Sequence, residues 1–174
     1  MSIERHGILL KVMSFDDLET VRNWRNSELV RSNMIFKNKI SEEHQLNWFR
    51  NLDTDCNIYM VIHVDRKPIG VCNLKNIDWN QGVGEGGIFI GESDFLNSTV
   101  PIKVVMLFLD YLSNGKALSK IILKILKSNA ASRKLVVGFG AELIAEHNEH
   151  YEMIIAAESF AKCGLQNRYA FDAE

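Results

Sequence analysis

Residues 85–126 constrain the fold most. Glu85-Gly86-Gly87-Ile88-Phe89-Ile90 reads as a strand, Asn97-Ser98-Thr99 as a polar turn, and the run from Pro101 as an apolar helix. Ser98 or Thr99 can cap that helix, and Pro101 suits its first turn. Val104, Val105, Met106, Leu107, Phe108 and Leu109 leave it apolar almost all round, so it should be buried, with Asn114-Gly115 closing it. The β-branched stretch 119–126 then reads as a strand parallel to the first. The strand before the helix is glycine-rich at its start, so another backbone or a ligand can come close. A short polar loop feeding a helix N-terminus also makes an anion site, because unpaired N–H groups and the helix dipole both favour negative charge there. The plainer alternative is an ordinary capped connection.

The rest of the chain surrounds this unit. Residues 7–12 read as a first strand. Ser14-Phe15-Asp16-Asp17 forms a capping box leading into an amphipathic helix that carries Leu18, Val21, Trp24 and Arg25. A second helix is expected over 29–34. Ser41-Glu42-Glu43-His44 repeats the cap signature and opens a third, with Leu46, Phe49 and Leu52. From Asn57 the period becomes two. Ile58, Met60, Ile62 and Val64 alternate with Tyr59, Val61 and His63, Asp65-Arg66-Lys67-Pro68 turns, and residues 69–74 return. Asp78-Trp79-Asn80-Gln81-Gly82 turns again into the strand at 85–90. Residues 130–138 read as a helix ended by Gly138, and 142–147 with 151–159 as a closing hairpin around His147-Asn148-Glu149-His150. The tail 166–174 is expected to be disordered or bound at an edge, leaving one domain over 1–165.

Composition narrows the function classes. A net charge of −2 argues against a generally basic nucleic-acid binder. No apolar run is long enough to span a bilayer, and the N-terminus lacks the apolar core of a signal peptide. Cys56, Cys72 and Cys163 are odd in number and widely spaced, with neither zinc-like pairing nor a disulfide framework, so no metal is expected. The natural compartment is the cytoplasm, with the thiols reduced.

The order of elements is strand, two or three helices, three antiparallel strands, helix, strand, helix, two strands. That is a mostly antiparallel α+β sheet with one βαβ crossover and helices on both faces. With this order, the chain resembles the GNAT superfamily of N-acetyltransferases over nearly its whole length. Val21-Arg22-Asn23-Trp24-Arg25-Asn26 is similar to the "R-x-W-R-N" of the ribosomal-protein and sugar N-acetyltransferase branch. Ile40-Ser41-Glu42-Glu43-His44 with Trp48-Phe49 is similar to its "I-S-x-E-x-H…W-F". Asn129-Ala130-Ala131-Ser132 and Gly138-Phe139-Gly140 match "N-x-x-(A/S)…G-F". Trp24-Arg25-Asn26, His44, the run 70–74 leading to Ile77-Asp78, and Asp94-Phe95-Leu96-Asn97 most resemble acyltransferases of nucleotide-linked amino sugars, of the pseudaminic-acid-pathway and 3-amino-3,6-dideoxy-sugar type. Two features depart from the pattern. Residues 97–102 contain no glycine where the phosphate loop should fall. Val136 stands near the position of the usual tyrosine acid.

The resemblance implies direct transfer of an acyl group (acetyl or 3-hydroxybutyryl-like) from acyl-CoA, a cosubstrate, to the amine of a dTDP- or UDP-linked amino-deoxy sugar. The setting would be surface-polysaccharide biosynthesis, with the enzyme a homodimer. Such transfer needs a positioned amine, a proton acceptor and a stabilised oxyanion. Main-chain groups of Ile88, Phe89 and Ile90 would meet the pantetheine arm, and Asn97, Ser98 and Thr99 the pyrophosphate. Asn129 would sit near the sulfur or cap its own helix. Arg133 and Lys134 would meet phosphates or cover a helix with charge. Glu85 is a candidate base, or else a solvated edge residue. His44 is a second candidate, or a helix-start residue. Tyr59 or Tyr151 would be an acid only if brought to the sulfur. Arg25 and Lys75 would hold the diphosphate, since cations, and a planar guanidinium above all, suit phosphate oxygens. Asn73, Asn76 and Asp78 would be polar contacts, and Trp24 would stack on a nucleobase or lie in the core. Two rivals remain: acetylation of protein N-termini or lysines, which would want an acidic groove, and a catalytically dead binding module of the same fold.

Overall fold

The computed structural model describes residues 2–113, 118–156 and 158–159. Its strands are β1 (Ser2–Arg5), β2 (Ile8–Val12), β3 (Ile58–Val64), β4 (Lys67–Asp78), β5 (Val83–Ile90), β6 (Lys120–Leu126), β7 (Glu142–Glu146) and β8 (His150–Ala156). Its α-helices are α1 (Leu18–Asn26), α2 (Glu28–Arg31), α3 (Glu42–Arg50), α4 (Val100–Ser113) and α5 (Ala130–Gly138). The eight strands form one sheet in the order β1-β2-β3-β4-β5-β6-β8-β7. Every neighbouring pair is antiparallel except β5 and β6, which α4 joins as the expected parallel crossover.

The two faces of the sheet have separate cores, because alternate side chains along each strand point oppositely. Leu10, Met60, Ile62, Leu74 and Ile90 meet Val104, Leu107, Leu112, Val136 and Phe139 of the α4–α5 layer. On the opposite face Val61 and Val71 pack with Leu18, Val21, Trp24 and Val30 of the α1–α2 layer, with Leu46 and Phe49 of α3 against them. Helices therefore cover both faces. Among the described residues no helix is long and apolar enough to cross a membrane.

Local chemistry accounts for most boundaries. The Ser14 N–H and hydroxyl both donate to Asp17 Oδ2, at 2.8 and 2.7 Å, closing the box before α1. The Ser41 hydroxyl accepts the His44 N–H at 3.1 Å to start α3. Several expectations need correction. The chain opens with β1, not with the strand at 7–12 alone. The β1–β2 turn is His6-Gly7, both with positive φ (53° and 74°), as a two-residue hairpin loop requires. The β3–β4 turn likewise uses Asp65 and Arg66 (φ 49° and 67°), so β4 already begins at Lys67. Pro68 lies at the bulge between Ile62 and His63, where a missing N–H is tolerated. The second helix is Glu28–Arg31, earlier and shorter than 29–34. The last strand stops at Ala156, and residues 158–159 are helical. Asn114-Gly115 and the tail 166–174 lie outside the described residues.

Two segments noted separately in the sequence meet in space. Asn26 Nδ2 donates to the Ile40 carbonyl at 2.9 Å, and the Ile40 N–H donates to Asn26 Oδ1 at 2.8 Å. One side chain thus pairs with the backbone that leads into α3, as a neighbouring strand would. Asn26→Ala leaves both Ile40 groups without these partners in a part-buried place. It should lower unfolding stability by about 1–3 kcal/mol in urea titration.

Candidate active site

The β5–β6 ladder has four rungs, from Val83 with Lys120 to Gly86 with Leu123. Past that rung no pairing joins the two strands, although β5 continues along β4 to Ile90 and β6 continues along β8 to Leu126. A fork therefore opens toward the C-terminal ends of both strands, with β5 presenting an unpaired edge in the middle of the sheet. Because β5 and β6 are parallel, α4 must return the chain antiparallel to them, which sets its N-terminus at the open end. α5 also starts there, just past β6. Two helix N-termini thus flank the mouth, where their N–H groups favour anions.

Register gathers polar groups at the head of the fork. Tyr59, Asn73 and Gly87 are successive partners across β3, β4 and β5. Lys75 is paired with Glu85, Glu85 with Ile122, and Lys124 with Glu152. All share the sheet face that α1–α3 cover. A side chain at Gly87 would sit 2.9 Å from Asn73 Oδ1, so the glycine lets the Asn73 amide lie over the first unpaired residue of β5. Lys75 Nζ reaches Glu85 Oε1 at 2.7 Å, and Lys124 Nζ reaches Oε2 at 2.9 Å. Burial pushes the Glu85 carboxyl up, but the hydrogen bonds and charges of Lys75 and Lys124 outweigh it and hold the group below its ordinary 4.5. Burial raises the Tyr59 phenol, the Glu85 charge adds to that, and the Arg25 charge opposes it. Burial draws Arg25 down from its usual value. Arg25 Nη1 is buried with no hydrogen-bond partner.

Among the expected site residues, Arg25, Tyr59, Asn73, Lys75 and Glu85 come together. Ile88, Phe89 and Ile90 lie on the arm of β5 that β6 does not pair. Trp24 does not stack outward. It is 7% exposed, its ring meets Phe89 edge-on at 6.4 Å, and its indole N–H donates to Glu92 at 3.0 Å. Asn76 and Asp78 lie at the closed end of the fork. Asn76 adopts φ 52° at the β4 irregularity, where its N–H bonds Asn57 Oδ1. Asp78 Oδ1 accepts the Asn80 and Gln81 N–H groups, so its carboxylate holds a turn. His44 is exposed at the start of α3, and among the described residues no hydrogen bond or ion pair ties its side chain to Glu85 or Arg25. The Ser98 hydroxyl donates to the Phe95 carbonyl and accepts the Val100 N–H, capping α4 beside Asn97 and Thr99. Asn129 caps α5 by accepting the Ser132 N–H at 3.0 Å. The Arg133 guanidinium lies 4.6 Å from the centre of the Tyr151 ring, which Lys127 also approaches. Lys134 is exposed on α5.

Lys124 escaped the sequence reading. Only strand register brings it to Glu85, 39 residues away. The outcome is a carboxylate clamp across β4, β5 and β6, and both oxygens that a base would use are occupied. Sign follows from direction: a glutamate held below 4.5 when folded stabilises fully above that pH and loses its contribution as pH falls through the folded value. The stability gap between wild type and Glu85→Gln should stay constant from neutral pH to 4.5 and close below it, as read by urea unfolding at stepped pH.

The fork, flanking helix ends and two-faced cover agree with sequence comparison. The model of the acetyltransferase (GNAT) domain matches residues 8–142. The chain belongs to the GNAT acetyltransferase family. No curated protein matches it significantly. Among solved structures, a domain from Methanocaldococcus jannaschii is 23% identical, with a TM-score of 0.75, covering 90% of this chain and 99% of its own. Spermidine N-acetyltransferase from Vibrio cholerae, in complex with CoA and spermine, is 17% identical with a TM-score of 0.79, over 89% and 98%. Aminoglycoside acetyltransferase AAC(6')-Ib, in complex with coenzyme A, is 15% identical with a TM-score of 0.76, over 89% and 98%. These likenesses share the fold of this GNAT chain. Two of the three structures hold coenzyme A, in keeping with an acyl-CoA-dependent N-acetyltransferase.

Proposed function

We propose that this GNAT domain transfers an acyl group from acyl-CoA to the amine of a nucleotide-linked amino-deoxy sugar, carrying dTDP or UDP. The carrying observation is Arg25, whose buried Nη1 has an N–H and no oxygen to receive it. Lys75 and Lys124 stand on the same face, both paired with Glu85, and Lys124 lies opposite Glu152. The neighbours named above are described with spermidine and aminoglycosides, which are polycations. A buried guanidinium N–H without a partner disfavours such acceptors and favours a phosphate-bearing one.

The residues fit this chemistry without the usual glycine loop. The unpaired edge of β5 at residues 87–90 offers main-chain partners to an extended pantetheine arm, and the N–H groups of α4 and α5 face its phosphates. When bound, the coenzyme supplies the thioester. Arg25 takes the acceptor's phosphate, the Asn73 amide orients the amine over Gly87, and the β5 main chain holds the carbonyl. Glu85 is ionised but doubly engaged, so the amine's proton leaves to water, while the cations favour the departing thiolate. A cytoplasmic homodimer acting in surface-polysaccharide biosynthesis, with acetyl or 3-hydroxybutyryl as the acyl group, completes the proposal.

Thermal shift and native mass spectrometry against coenzyme A, acetyl-CoA, 3-hydroxybutyryl-CoA, UDP, dTDP and spermidine test it. Stabilisation by one coenzyme species and one nucleotide, but not by spermidine, is the expected result. Acetylation of spermidine with no response to either nucleotide would overturn the acceptor assignment.

A further inference from the structure

Two primary amines stand beside the head of the fork. Lys75 lies beside Glu85 on β4, and Lys124 is the first β6 residue beyond the last rung of the fork. Both side chains are 37% exposed, so solvent and a bound thioester can reach them, whereas Glu85 is 17% exposed beneath them. An acyltransferase with free amines at this place would acylate its own chain. We propose that Glu85 is a guard against self-acylation, holding the Lys75 and Lys124 ammonium groups on its two oxygens and so keeping them from the thioester. The proposal rests on the acyl-CoA reading given above.

The chemistry follows from charge. Only a neutral amine has the lone pair to attack a carbonyl. The hydrogen bond from Glu85 pushes Lys124 up from its ordinary 10.5, burial opposes this, and the charges of Glu85 and Glu152 add to it. With Glu85 neutralised, the two ammonium groups face each other with Arg25 nearby on α1 and the Tyr59 phenol on β3. Glu152 on β8, opposite Lys124, remains as the carboxylate beside that amine. Crowded like charges favour loss of a proton. In the unguarded step the Nζ lone pair forms the C–N bond to the acyl carbon as the C–S bond breaks. The thiolate of coenzyme A departs, and the second nitrogen proton passes to water. The product is a neutral lysine amide, which can no longer pair with residue 85.

Wild type, Glu85→Gln, and Glu85→Gln combined with Lys75→Arg and Lys124→Arg are incubated with acetyl-CoA and followed by intact mass and peptide mapping. Glu85→Gln should gain acetyl groups on Lys75 or Lys124 several-fold faster than wild type. The triple variant should not, since arginine is not acylated. Trace labelling of wild type with acetic anhydride gives a second reading that needs no variant. Lys75 and Lys124 should label less than the exposed Lys37 and Lys39. Equal labelling overturns the guard, as does an unmodified Glu85→Gln that acetyl-CoA nonetheless stabilises in thermal shift. If acetyl-CoA stabilises neither protein, the coenzyme reading fails and the guard with it, and the missing thermal shift identifies that failure.

Discussion

Replacing Arg25 with alanine is expected to lower kcat/KM for the acceptor about 100-fold, roughly 2.7 kcal/mol of transition-state binding, with little change in stability. Most arginine substitutions on a helix facing a sheet would do the reverse. Here the guanidinium carries a buried Nη1 without a partner, and its burial already disfavours the charged form. Its removal relieves a desolvated cation while giving up some packing of the stem, so the two effects offset. Binding differs, because a phosphate bonded to that group loses a charge-assisted partner, commonly worth 2–5 kcal/mol. Arg25→Lys restores the charge without the planar fork and should recover about tenfold. Steady-state kinetics with both substrates varied separate the acceptor term from the coenzyme term, and only the first should move. A protein that unfolds more readily with unchanged turnover would make Arg25 a structural residue.

Gly91→Ala should lower stability strongly for a single methyl. The added carbon would lie 2.2 Å from Trp24 Cγ and within 2.5 Å of two further ring atoms. The ring has nowhere to go. Phe89 meets it edge-on, Glu92 holds its N–H, and Gly91 itself donates to the Ile69 carbonyl at 2.7 Å. Overpacking of this kind costs about 1–3 kcal/mol. At roughly 2–4 °C per kcal/mol for a domain of this size, the Tm should fall by about 2–12 °C in calorimetry. Unchanged melting would mean that α1 shifts away from the sheet at no cost.

These two residues show how far the sequence could be read. Capping at Ser14 and Ser41, the alternation from Ile58 to Val64 and the crossover 85–126 rest on local rules, and all three appear in the structure. β1 was invisible because four residues, two of them charged, carry little periodicity, although the His6-Gly7 pair marks its hairpin turn. The run Trp24-Arg25-Asn26 carries part of the family resemblance, with Arg25 expected at a phosphate and Trp24 on a nucleobase or in the core. Folding divides it: Trp24 fills the core, Asn26 pins residue 40, and Arg25 alone is left with an unpaired donor at the site. Neighbours in sequence on a helix face different directions, so no spacing rule could have separated the three before α1 was docked. Lys124 was missed for the complementary reason, since a cross-strand partner is fixed by register that only the whole sheet determines.

The short β5–β6 ladder also bears on how the molecule comes apart. Strands β1–β5 and the β6–β8–β7 group are each continuously paired, yet in the sheet they are stitched to one another by four parallel rungs. This seam is where a sub-global opening would begin, and native-state hydrogen exchange should divide the amides into two blocks along it. An extended molecule lying in the fork would supply the missing rungs and weld the blocks. Occupancy of the cleft would then be read in the cooperativity of unfolding as well as in its midpoint.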